Sequence, residues 1–147
     1  MSKIDFTRTI TKATAEANVL AMARASAHTQ TIALIEAATQ AITGDVPLAE
    51  MLSWTTKEQV ARELLAAPVG VAPHSAAILQ GEADVTGEDL HDLASRIVAN
   101  ADAYRAAVAR LAGLRRLTAA AIDAAETNLA CEAAVIGLKG HLAAMRG

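Results

Sequence analysis

The sequence predicts an all-α protein: long, alanine-rich amphipathic helices that form a helical bundle or a coiled-coil-like assembly. Three observations carry this. About a quarter of the 147 residues are alanine, the strongest helix former. Apolar residues recur at steps of three and four over long stretches, and no segment shows the strict alternation of a half-buried strand. Two segments open with helix start signals, Thr55 with Glu58 and Thr86 with Asp89, each read as a capping box.

The elements follow in order. Residues 1–8 form a polar leader in which Ile4 and Phe6 alternate with polar neighbours in an extended pattern. Residues 10–43 read as the first long helix, ending at Gly44. Its stripe is Ile10, Ala13, Ala17 and Leu20, then Ala27, Leu34, Ile35 and Ile42, with Arg24 and His28 interrupting it. Eight threonines between Thr7 and Thr43 lower its intrinsic preference, so partners are expected to hold it. Gly44 with Pro47 makes a turn, and 48–52 a short helical turn. A helix over 56–66 follows the Thr55 cap, with Val60, Leu64 and Leu65 inside. Trp54 precedes that cap and reads as a hydrophobic staple on the first turns; the alternative is a contact anchor on a partner. Pro68, Gly70 and Pro73 interrupt the chain, and 75–85 is a short helix or turn carrying Ile78, Leu79 and Val85.

Residues 86–116, TGEDLHDLASRIVANADAYRAAVARLAGLRR, are the most informative segment. Glu88, Asp89 and Asp92 set negative charge at the positive end of the helix dipole. From Leu90 the apolar residues fall at Leu93, Ile97, Ala101, Tyr104, Val108 and Leu111, a spacing close to the coiled-coil value. Arg115 sits where the stripe calls for an apolar residue; the stripe resumes at Ile122, Leu129 and Ile136. An unbroken helix from Gly87 to Met145 would be a rod of roughly 90 Å. Gly113, Gly137 and Gly140 each weaken it by about 1 kcal/mol relative to alanine, so one or more breaks are expected.

At this length the chain reads as a single helical domain, 1–147, in three stretches: 1–44, 45–85 and 86–147. Hydrophobic residues make up 53% but aromatics only 2%. Alanine buries little area per residue, which gives a lone copy a thin core and favours a homo-oligomer. The candidate contact residues are Leu90, Ile97, Ala101, Tyr104, Val108 and Leu111, with Trp54. They form either an interchain seam or a surface on which 10–42 folds back.

A net charge of −3 and the absence of a basic run argue against nucleic-acid binding. No stretch has the uninterrupted apolar length of a membrane helix, so no membrane insertion is expected. The start MSKIDFTRTIT lacks the apolar centre of a secretory signal, so a protein made and kept in a cytoplasm, or leaving it by cell lysis, is expected. The single cysteine, Cys131, reads as a small packed residue.

The chemistry-bearing residues form no constellation. His28, His74, His91 and His141 lie far apart, with no second His or Cys at metal-ligand spacing. Ser53, Ser75 and Ser95 lack a nucleophile-elbow context, and 86–89 lacks the Lys and second Gly of a phosphate loop. Glu82, Asp84, Glu88 and Asp89 read as a solvated connector, and Arg105, Arg110, Arg115 and Arg116 as a solvated face whose alternative is an acidic partner. No catalytic, metal or cofactor residue is assigned, and an enzyme is not expected.

Three segments together resemble a small family encoded in the tail-fibre gene modules of tailed bacteriophages and prophages. They are the opening MSKIDFTRTIT, LAEMLSWTTKEQVARELL over 48–65, and, most specifically, residues 86–116. They cover about half of the chain, and their motifs are helix-packing residues, so the resemblance transfers no functional residue. It implies a non-enzymatic structural or interaction protein in or on the tail fibre. Its partners would be further copies of itself, a trimer being favoured, and a tail-fibre or baseplate protein. Such a protein would be made in the host cytoplasm and sit in the virion tail. The alternative is a fibre-assembly chaperone absent from the mature virion; a third reading is a regulator that binds a partner helix.

Overall fold

The computed structural model describes residues 11–146. The leader over 1–8 and Ile10 lie outside them. Helices take 85% of the described residues, and no strand occurs among these. The order is α1 (Lys12–Thr43), α2 (Leu48–Ala66), a 3-10 turn (His74–Ala76), α3 (Ala77–Thr86), α4 (Leu90–Ala124) and α5 (Asn128–Ala144).

The helix ends show which local signals hold. α1 starts at a Thr11 hydroxyl that accepts from the Thr14 N–H, and stops where Gly44 turns left-handed at φ 67° and donates its N–H to the Gln40 carbonyl at 2.8 Å. A side chain at Gly44 would strain that conformation. α2 differs from the reading of a turn over 48–52 and a cap at Thr55. It runs unbroken from behind Pro47, whose φ of −55° suits a helix start, with Glu50 in its first turn. Thr55 is therefore an interior position, and Trp54 is no staple.

Thr86 is likewise not a cap. It is the last residue of α3, its hydroxyl donating to the Glu82 carbonyl at 3.2 Å. Gly87 ends α3 in the left-handed region at φ 73°. The next helix can be capped only after that reversal, and Asp89 does it: its Oδ1 accepts from the N–H of His91 at 2.8 Å and of Asp92 at 3.1 Å. The long C-terminal region is broken once, and not at a glycine. Gly113, Gly137 and Gly140 are all helical, and a Cβ added at each would meet nothing within 4 Å. The break falls at 125–127, where Thr127 turns extended and its side chain accepts from the Ala130 N–H to start α5.

The contacts group into two compact units: residues 11–39 with 110–146, and Gln40–Ala109. Each has its own core. In the Gln40–Ala109 unit, α2, α3 and the first part of α4 meet at Leu64, Leu79 and Leu93, which are fully buried beside Ala61, Ala83 and Ala94. Small alanines let the helices approach closely enough for the three leucines to fill the centre. Lys57 Nζ on α2 donates to Glu82 Oε2 on α3 at 2.6 Å along one edge of this core.

In the unit of 11–39 and 110–146, α1, the end of α4 and α5 pack through two clusters. One holds Ala27, Ile122, Ala125, Cys131 and Val135; the other holds Ala38, Leu111, Leu138 and Leu142. Thr31 is buried between the levels of Ala27 and Ala38 and satisfies its hydroxyl on the Ala27 carbonyl. Arg24 and His28, which interrupt the apolar stripe of α1, serve the corner between α4 and α5. The Arg24 guanidinium donates twice to the Ala125 carbonyl, from Nε at 3.1 Å and from Nη2 at 2.6 Å. His28 Nε2 lies 2.8 Å from Asp123 Oδ1. A carbonyl left free at a helix end is thus held by a cation, the charge that the dipole favours there.

Candidate functional site

The densest polar constellation among the described residues lies on facing sides of α2 and α4, inside the Gln40–Ala109 unit. Trp54, Glu58 and Arg62 recur at four-residue steps and so share one face of α2. Asp102, Tyr104 and Arg105 stand on one turn of α4. Glu58 is 8% exposed and is the sole acidic residue among the buried ones described. It accepts from Arg62 Nε at 2.8 Å and, in a two-pronged contact, from Arg105 Nη1 and Nη2 at 2.5 Å each. Arg62 also donates to Asp102 from Nη2. Beside the charges, the Trp54 and Tyr104 rings meet edge to face, with centroids 5.8 Å apart.

The electrostatics follow from these partners. Hydrogen bonds from Arg62, then from Arg105, hold the Glu58 carboxyl below its ordinary value of 4.5, against the desolvation that would raise it. Arg62 is raised in turn by Glu58 and then Asp102. A carboxylate so paired is charged at neutral pH and accepts three hydrogen bonds from two guanidinium groups. That suits it to fix the register of two helices and unsuits it to take a proton from a substrate.

The residues singled out in the sequence are divided rather than gathered. Leu90 and Ile97 are half-buried against the leucine core of the Gln40–Ala109 unit. Ala101 is half-buried one turn before Tyr104, and Tyr104 meets Trp54. Val108 is 36% exposed, whereas Leu111 is 2% exposed in the other unit, against Ala38 and Leu138. Ile122 is buried, but Leu129 and Ile136 are exposed, because the break at 125–127 restarts the helical phase and turns Cys131, Val135, Leu138 and Leu142 inward instead.

The acidic residues of 82–89 each have local work. Glu82 holds Lys57, Asp84 accepts from Gln80, Glu88 holds Arg96, and Asp89 caps α4. Arg105 is part of the Glu58 network, while Arg110, Arg115 and Arg116 are exposed. The sequence reading took Glu58 for a capping-box residue and passed over Arg62; inside α2 the carboxylate binds arginines instead. Their spacing of four residues was a visible signal, but Arg105 lies 47 residues from Glu58, beyond any local pattern.

Among the described residues no group of three or more His, Cys, Asp or Glu could hold a metal ion, and no helix is long and apolar enough to cross a membrane. Cys131 is buried. Compared with known proteins, the chain matches no family model, and no curated protein and no solved structure matches it significantly.

Proposed function

We propose that this chain is a non-enzymatic structural or interaction protein that works through its helix faces, in or on a bacteriophage tail fibre. The observation that carries the non-enzymatic part is the state of Glu58: the buried carboxylate is held by three hydrogen bonds from Arg62 and Arg105 and serves to join α2 to α4. Exposed apolar side chains support a role in contacts. Leu48, Leu52, Val69, Val85 and Leu129 all stand well out of their cores. The tail reading is supported by the resemblance over 48–65 and 86–116, the segments that supply α2 and most of α4. It includes self-association and contact with a fibre or baseplate protein.

Mass spectrometry of purified virions tests it. Presence at a fixed stoichiometry supports a fibre component. Absence from the particle, with co-purification of the fibre protein on co-expression, turns the reading into an assembly chaperone. Absence from both sinks the tail reading and favours a regulator that binds a partner helix.

A further inference from the structure

The outer face of α5 carries no charge. Cys131, Val135, Leu138 and Leu142 turn inward at steps of four, three and four. Leu129, Ala133, Ile136 and Gly140 repeat the same steps on the opposite side, and Ala143 and Ala144 extend them by a turn. All six are exposed, Leu129 at 76% and Ile136 at 66%. Single exposed apolar residues are ordinary, but a run of four turns without a polar side chain is the pattern of a buried helix. The outer face of α1 shows the contrast. There Val19, Met22 and Ile32 are interspersed with Asn18, Thr29 and Glu36.

The charges beside this face identify its occupant. Glu132 and Lys139 lie seven residues apart, two turns along the same edge of α5, where with Ile136 they flank a groove against Ser26 and Gln30 of α1. Neither makes a salt bridge in the described structure. In an antiparallel pair of identical helices related by a twofold axis, like edges meet, and residues equidistant from the axis lie at one level. An axis between Val135 and Ile136 sets Glu132 against the second copy's Lys139, and Lys139 against the second copy's Glu132. The same axis brings the two Ile136 side chains together. It also sets each Leu129 over the second copy's Gly140, Ala143 and Ala144, a large side chain over small ones. In a parallel pair opposite edges would meet, and Glu132 and Lys139 would face Ala130, Ala134, Gly137 and His141, with no acidic partner for Lys139. Gly140, which costs helix stability and relieves no contact within one chain, finds its use in such a close approach.

We propose that α5 pairs antiparallel with α5 of a second copy of this chain, through Leu129, Ala133, Ile136 and Gly140, with Glu132 and Lys139 forming two reciprocal ion pairs. The inference deepens the self-association proposed above, commits it to a twofold dimer in place of the trimer, and does not need the tail-fibre reading. A contact of one helix per chain is small, so the dimer should dissociate in the micromolar range.

Sedimentation equilibrium of the full chain, up to several hundred micromolar, should show a reversible monomer–dimer equilibrium. Glu132→Lys and Lys139→Glu should each weaken the dimer about tenfold or more, because both ion pairs become like-charged. The double variant should return to within about threefold of the parent. Ile136→Cys should cross-link to itself on mild oxidation, while Leu129→Cys, far from the axis, should not. Far-ultraviolet circular dichroism of each variant checks that these exposed positions leave the fold intact. A monomer at all concentrations, a trimer, an assembly indifferent to the charge reversals, or self-cross-linking at Leu129→Cys would each overturn the proposal. The first would also weaken the self-association in the proposed function; the others would leave it standing.

Discussion

The two compact units solve one problem with different materials. The Gln40–Ala109 unit joins three helices around Leu64, Leu79 and Leu93, then fixes α2 on α4 with the Glu58 network and the Trp54–Tyr104 contact. The unit of 11–39 and 110–146 has no such network among its described residues. It packs small side chains, Ala27, Ala38, Ala125 and Cys131, around Ile122, Leu111 and Leu138, and spends its one inward arginine on a backbone carbonyl. Both cores draw their helices together with alanines; the Gln40–Ala109 unit adds a charge network that ties α2 to α4. Buried polar groups give specificity only when every partner is present, so the two units should fail in different ways.

The largest difference should come from the cores. Leu79→Ala, at 0% exposure, should cost about 2–5 kcal/mol, and Leu138→Ala, at 1%, a similar amount. Amide hydrogen exchange should show protection lost first in the altered unit. If each substitution lowered protection equally throughout the chain, the division into two units would not describe its stability. Next is Arg24→Ala, which frees the Ala125 carbonyl and should cost about 1–3 kcal/mol, read as a lower urea midpoint. No effect would mean that water replaces the guanidinium.

The Glu58 network should show itself through pH. Because the folded carboxyl is held below its ordinary 4.5, its contribution is full above that value and is lost as pH falls through the lowered one. Stability measured from about pH 5 to about pH 3 should therefore fall more steeply in the parent than in Glu58→Gln. Equal slopes would remove Glu58 as a source of the acid sensitivity.

The smallest effects discriminate between caps. Thr127→Ala should cost about 1 kcal/mol, because its side chain accepts from the Ala130 N–H. Thr55→Ala should not. Inside α2 the alanine should stabilise by about 0.5 kcal/mol, whereas a true cap would lose about 1. Thermal melts of both variants check the pair.

Much of the fold was legible in residue patterns, and the failures are informative. Gly44 and the Pro68–Pro73 stretch were read as stops and are stops. Thr55 and Thr86 match the cap pattern equally well and cap nothing. Thr127, which does cap, follows no glycine or proline and was passed over. The Glu58 site was half legible: the Arg62 partner lies one turn away, and the Arg105 partner does not.

The sequence by itself determined that the chain is helical and where several helices must end, because helix hydrogen bonds and turns reach only three or four residues. It also determined the charge-free run on α5, since helical spacing alone lines up Leu129, Ala133, Ile136 and Gly140. Only the tertiary structure decided which apolar residues point inward. The stripe from Leu90 to Leu111 is continuous in sequence, yet its members serve two cores, and Val108 is left partly exposed. The same holds for the pairing of Glu58 with Arg105 and of Arg24 with Ala125. These contacts join residues dozens of positions apart, and such positions become neighbours only once the helices have packed.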